Sequence, residues 1–314
     1  MRGRAILRSL AVQCSLYAFA LSVSNGLTGV ASPASAQELI GAGDALRFES
    51  PEPDHRIAYG SHPLQFGNLR LPDGDGPHPV VAFVHGGCWL SMFDLTYAGQ
   101  AAQAIADAGF AVWSIEYRRI GDEGGGWPAT YLDVGSGFDH LRELAGPHAL
   151  DLSRVVAAGH SAGGALALWA AARDKVDPAS EVYAHDPLPL QAVFALAPAA
   201  DLEGLEEGGT CGDVVGRLMG GSPVEHPDRY AAASPMQLAP VGVPQTLLIG
   251  GLDGDWAPPG RAYYNRAITV GDLEVRVVDL PDSGHFEMVV PSTSTWPLVL
   301  AALRDTFAEI RSVN

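Results

Sequence analysis

Six short apolar, β-branched runs recur along the chain, and their alternation with helix-like stretches restricts the fold more than any other feature. The runs are VVAFVH (80–85), FAVWSIEY (110–117), RVVAAG (154–159), AVFALAP (192–198), QTLLIGG (245–251) and LEVRVVDL (273–280). Strands that read as near-continuous apolar runs are buried on both faces, as in a parallel sheet covered by helices on either side. Candidate helices fall at 97–109, 130–145, 161–174, 260–269 and 297–312. The expected class is therefore α/β.

Two regions interrupt this alternation. PDGDGPHP (72–79) reads as a turn-rich link between an early antiparallel strand pair and the main sheet. Residues 199–240 form a long insert between two strands, rich in Gly and Pro and ending YAAASPMQLAP. An insert of this length in a compact domain is expected to be a lid or binding loop.

The first 36 residues stand apart from the fold. Arg2, Arg4 and Arg8 precede an apolar stretch from Leu10 to Val23, and Ala34, Ser35 and Ala36 form a small-residue cleavage site, the layout of a secretory signal peptide. The apolar run is interrupted by Gln13 and Ser15 and is too short for a membrane span. The expectation is a protein exported to the periplasm or the exterior after cleavage near Ala36, without a stable membrane anchor.

With 314 residues, 47% of them hydrophobic, the chain can bury a substantial core. Its formal net charge of −17 becomes more negative once the arginines of the leader are removed. That balance makes nucleic acid and anionic membrane poor partners and serves solubility. Outside the leader, the cysteines are Cys88 and Cys211. They match no zinc-binding spacing, no metal or cofactor is expected, and an oxidising compartment permits them to pair.

The stretch VVAAGHSAGGALALWAA (155–171) places Ser161 between glycines, after a predicted strand and before a predicted helix. G-x-S-x-G alone is weak, but this setting lets a serine ride a strained strand-to-helix turn with its hydroxyl exposed. A side chain at either glycine would crowd that turn. Acyl transfer further needs donors aimed at an oxyanion. HGGCW (85–89) follows the strand at 80–85, which assigns that role to the amides of Gly87, Cys88 and Ala162. His85 reads as a hydrogen-bonding support of this loop, and Trp89 as a packing anchor.

Downstream of the serine, His285 lies on the loop after the last strand, where the chain order serine, acid, histidine places a base. His185 and His226 precede the acid candidates and read as surface or insert residues, while His160, beside Ser161, should point elsewhere on the turn. The acid should close the preceding strand. LLIGGLDGDWAPP offers Asp253, the preferred choice because it is nearer the strand end, and Asp255 as the alternative. Asp282 reads as a turn residue.

Together HGGCW, EYR (116–118), WPA (127–129) with Asp133, GHSAGG, GGLD and GHFEM resemble the α/β-hydrolases in order and spacing. The likeness runs from about residue 55 to the C-terminus. It is to the esterase and lipase branch with an HGGG or HGGxW loop, which includes bacterial carboxylesterases, feruloyl and acetylxylan esterase-like proteins and arylformamidases. The resemblance implies an eight-stranded, mostly parallel sheet flanked by helices. It also implies a Ser161–His285–Asp253 triad hydrolysing a small-molecule ester, with an arylformamidase-type amide hydrolase as the alternative; a peptidase or a non-catalytic binding protein fits less well. Cys88 replaces the third glycine of an HGGG loop, and Glu116 stands where the related form has aspartate. Tyr117, Arg118 and Asp133 read as scaffold beneath the oxyanion loop. A Cys88–Cys211 bond, left open by the sequence, would tether insert to loop.

Overall fold

The computed structural model describes residues 39–208, 211–272 and 274–313. The predicted leader, residues 1–36, lies outside the described residues. Eight strands form one sheet: β1 (His55–Ala58), β2 (Phe66–Arg70), β3 (His78–Val84), β4 (Ala111–Ile115), β5 (Leu150–His160), β6 (Ala192–Leu196), β7 (Gln245–Gly250) and β8 (Val275–Leu280). Their spatial order is β1-β2-β4-β3-β5-β6-β7-β8. From β4 to β8 every neighbouring pair is parallel, while β2 pairs antiparallel with both β1 and β4. This is the mostly parallel, eight-stranded sheet of the α/β-hydrolase fold.

Most of the apolar runs become buried strands, every residue of β4, β6 and β7 being buried, whereas β8 at the sheet edge is only partly buried. The early antiparallel pair expected before the main sheet forms as β1 with β2, but it does not stand apart from that sheet, because Gly67–Arg70 of β2 also pair with Val112–Ile115 of β4. Nor does the link run to residue 79, since β3 starts at His78, and His78 and Pro79 pair with Leu150 and Asp151 of β5. Proline is tolerated there because it sits at the start of the strand, before a register shift between Pro79 and Val80.

Around the sheet lie α1 (Ala42–Ala45), α2 (Gly99–Asp107), α3 (Ala129–Asp139), α4 (Leu141–Leu144), α5 (Ala162–Ala171), α6 (Leu202–Gly208), α7 (Val214–Met219), α8 (Pro227–Ala233), α9 (Pro235–Leu238), α10 (Ala257–Thr269) and α11 (Trp296–Val313). The helix expected over 130–145 is divided at His140 into α3 and α4, and the one expected over 161–174 ends at Ala171. Residues 162 to 170 of α5 are all buried, which explains why its sequence is apolar on every side. The insert is not irregular, for α6 to α9 fall within it. Trp169 of α5 anchors it by donating its indole N–H to the Ala232 carbonyl at 3.0 Å. No helix among the described residues is long and apolar enough to cross a membrane.

Candidate active site

Ser161 occupies the single residue between the end of β5 and the start of α5, with φ 58° and ψ −122°. A non-glycine residue held at positive φ stores strain that its surroundings must oppose. Here the Ser161 amide donates to the Leu196 carbonyl of β6 at 2.8 Å, and its own carbonyl accepts from Gly164 and Ala199 at 2.9 and 3.1 Å. The flanking glycines serve close approach. A Cβ on Gly159 would lie 2.1 Å from the Gly163 carbonyl oxygen, and one on Gly163 would lie 2.1 Å from that of Val84. Helix α5 can therefore press its first turn against β3 only without side chains at these positions. Contrary to the expectation of an exposed hydroxyl, Ser161 is only 2% exposed; the helix N-terminus behind it supplies positive dipole.

The loop after β3 lies directly against this turn, since a Cβ on Gly86 would come within 2.9 Å of the Ser161 Cβ. His85 is fully buried as a support of the loop. Its Nδ1 meets the Gly86 carbonyl oxygen at 2.9 Å and its Nε2 meets Glu116 Oε1 at 3.0 Å. Because the peptide unit is planar and trans, holding the Gly86 carbonyl toward His85 turns the Gly87 N–H to the opposite side. Cys88 and Trp89 follow with φ of 50° and 52°. Among the described residues, the amides of Gly87, Cys88 and Ala162 donate to no protein acceptor, which leaves all three available to a ligand oxygen. Trp89 is fully buried as a packing residue.

Beneath the loop, Glu116 accepts from the amides of Tyr117 and Leu95 at 3.0 and 3.2 Å and pairs with Arg119 at 2.9 Å. The Tyr117 hydroxyl donates to the His85 carbonyl at 2.9 Å, and Arg118 forms a two-pronged pair with buried Asp133 at 2.7 and 2.6 Å. These residues form the scaffold expected of EYR and Asp133, with Glu116 reaching His85. A disulfide joins Cys88 to Cys211, across 123 residues of sequence and 5.9 Å between Cα atoms. The loop bearing two of the free amides is thus covalently fastened to the insert.

His285 and Asp253 meet as the chain order requires, with His285 Nδ1 2.7 Å from Asp253 Oδ2. Asp253 is buried in the loop three residues past the end of β7, whereas Asp255, further along the same loop, is exposed. Their two loops are stitched together, the Leu252 amide donating to the Ser283 carbonyl at 2.9 Å. His185 is exposed, and His226 lies at the start of α8 in the insert. Asp282 is an exposed turn residue.

Other residues that shape the site carry no clear sign in the sequence. Trp256 lies over the His285 ring at 5.1 Å with planes 25° apart, and Phe286 abuts it edge-on at 5.1 Å. Trp256 follows the acid candidates in DGDW, and an aromatic residue in such a loop is the one hint available. Tyr97 reaches the site from the 3₁₀ turn Leu95–Ala98, with no local motif to announce it. No grouping of three or more His, Cys, Asp or Glu suited to a metal ion occurs among the described residues.

A family model described as BD-FAE matches residues 69–260. Among curated proteins, Esterase LipC of Mycobacterium tuberculosis is 26% identical over 262 residues, covering 81% of this chain and 64% of the relative. Of the other curated relatives it matches, the chain spans smaller shares. Among solved structures, esterase B from Lactobacillus rhamnosis superposes with a TM-score of 0.72 at 18% identity, over 85% of this chain and 90% of that one. Esterase 2 of Thermogutta terrifontis gives 0.64 at 18% identity, over 82% and 94%. At such identities these two likenesses speak for the fold.

Proposed function

Because the chain belongs to the BD-FAE family, we propose that it is a serine hydrolase of small carboxylic esters working through Ser161, His285 and Asp253. The observation that carries this reading is the 2.7 Å contact of His285 with buried Asp253, on loops stitched together at the same end of the sheet as Ser161. Ser161 Oγ attacks the acyl carbon while His285 Nε2 takes its proton, and Asp253 holds Nδ1–H and stabilises the imidazolium that forms. Charge gathering on the carbonyl oxygen is met by the free amides of Gly87, Cys88 and Ala162, each worth about 3 kcal/mol of barrier. His285 then protonates the leaving alkoxide, and a water activated by the same ring releases the acid from Ser161. The esterase names borne by relatives such as LipC support this reading.

The test measures p-nitrophenyl acetate turnover and fluorophosphonate labelling. Ser161→Ala should abolish both, and Asp253→Asn should lower kcat by about 10⁴-fold by disturbing the tautomer of the base. Asp255→Asn should retain kcat within about twofold. Labelling that survives Ser161→Ala, or a larger loss at Asp255 than at Asp253, sinks the assignment.

Export belongs to the same proposal. The Arg2, Arg4, Arg8 and Ala34–Ala36 pattern supports cleavage near Ala36, and the Cys88–Cys211 bond suits an oxidising compartment.

A further inference from the structure

Tyr97 and His160 are buried polar residues adjoining all three loops of the site, and neither has a place in the chemistry described above. Tyr97 is 3% exposed and His160 is fully buried. The Gly86 N–H points at the Tyr97 oxygen at 2.7 Å. That oxygen lies 2.9 Å from His160 Nδ1, and His160 Nε2 lies 2.9 Å from the His285 carbonyl oxygen. The rings pack as closely as the polar atoms, His160 against His285 at 4.6 Å and Tyr97 against Phe286 at 6.0 Å.

The direction of every bond follows from chemistry. A carbonyl oxygen only accepts, so His160 must carry its proton on Nε2 and donate it to His285. Burial opposes a charged ring, which leaves Nδ1 as a lone pair that can only accept. Tyr97 is kept protonated by its own burial and donates its O–H to that lone pair. Its oxygen retains lone pairs for the Gly86 N–H. The chain therefore runs one way, from Gly86 N–H to Tyr97, from Tyr97 O–H to His160, and from His160 Nε2–H to the His285 carbonyl.

We propose that Tyr97 and His160 are positioning residues, a hydrogen-bonded tie that sets the oxyanion loop, the serine turn and the base loop at fixed mutual distances. Gly86 immediately precedes the Gly87 donor, His160 immediately precedes Ser161, and the anchored carbonyl belongs to His285 itself. The tie touches no reacting atom. It rests on the esterase reading of Ser161, and acts by holding parts whose misplacement by about 1 Å costs on the order of 10²-fold in rate.

The experiment compares Tyr97→Phe, His160→Leu and His160→Gln with wild type and Ser161→Ala, reading kcat and KM on p-nitrophenyl acetate, labelling rate with a fluorophosphonate, and melting temperature. Tyr97→Phe and His160→Leu should lower kcat about 10- to 100-fold, with KM within about threefold. Glutamine offers one acceptor and one donor in place of the two ring nitrogens, so His160→Gln should recover most of kcat. If His160→Leu does not fold, Tyr97→Phe, which removes a single oxygen atom, carries the comparison with His160→Gln. Wild-type kcat in Tyr97→Phe, or a loss in His160→Gln as deep as in His160→Leu or Tyr97→Phe, overturns the tie while an inactive Ser161→Ala leaves the esterase reading standing. An active Ser161→Ala overturns both.

Discussion

His160 illustrates how a titratable residue can serve a site by remaining uncharged. Burial, together with the nearby His285, pushes its pKa well below the usual histidine range, whereas in the unfolded chain the ring takes up a proton near pH 6.5. Below that pH the unfolded state binds the extra proton and the folded state does not. This contribution to stability is therefore complete above about pH 6.5 and lost as pH falls, at up to about 1.4 kcal/mol per unit. Denaturant melts between pH 7 and pH 5 should show the decline, and His160→Gln should flatten it by about that slope; an unchanged slope would assign the decline to other groups. As candidates, Ser161, Asp253 and His285 were legible because each follows a strand in a fixed chain order. Tyr97 was not, since a tyrosine in a short 3₁₀ turn reaches its partners only through tertiary packing, 63 residues away in the case of His160.

Among the elements, the contact of α5 with β3 leaves no room for a side chain. Gly163→Ala would drive a methyl group into the Val84 carbonyl, and overpacking of that kind costs about 1–3 kcal/mol. Gly146 lies in a turn with nothing within 4 Å of an added Cβ, so Gly146→Ala should stay within about 0.5 kcal/mol of wild type. Equilibrium urea unfolding of the two variants checks the pair, and equal stabilities would mean that α5 can shift to make room. The parallel strands were readable from their apolar runs because both faces are covered. The place of β2 was not, because its antiparallel pairing with β4 joins segments more than forty residues apart and leaves no local pattern. The four helices of the insert went unread for a related reason: each is seven residues or shorter, too brief for a helical period to stand out among glycines and prolines.

At the scale of the whole molecule, the expectation of export reduces to one observable. Protein recovered from the periplasm or medium of an expressing bacterium should begin at Gln37, and N-terminal sequencing reads this directly; a chain retained in the cytoplasm with Met1 intact would contradict it. The overall architecture was legible from alternation and motif order. What the sequence left open was how the insert connects to the rest, because the pairing of two cysteines is decided by the distance the fold gives them. That connection bears on protein engineering. The bond of Cys211 to Cys88 makes the insert a mechanical part of the loop that carries the Gly87 and Cys88 amides. On the proposed esterase reading, a library that exchanges this segment to recruit new substrates should alter turnover along with affinity, and a transplant without its cysteine should release the loop it was meant to leave untouched.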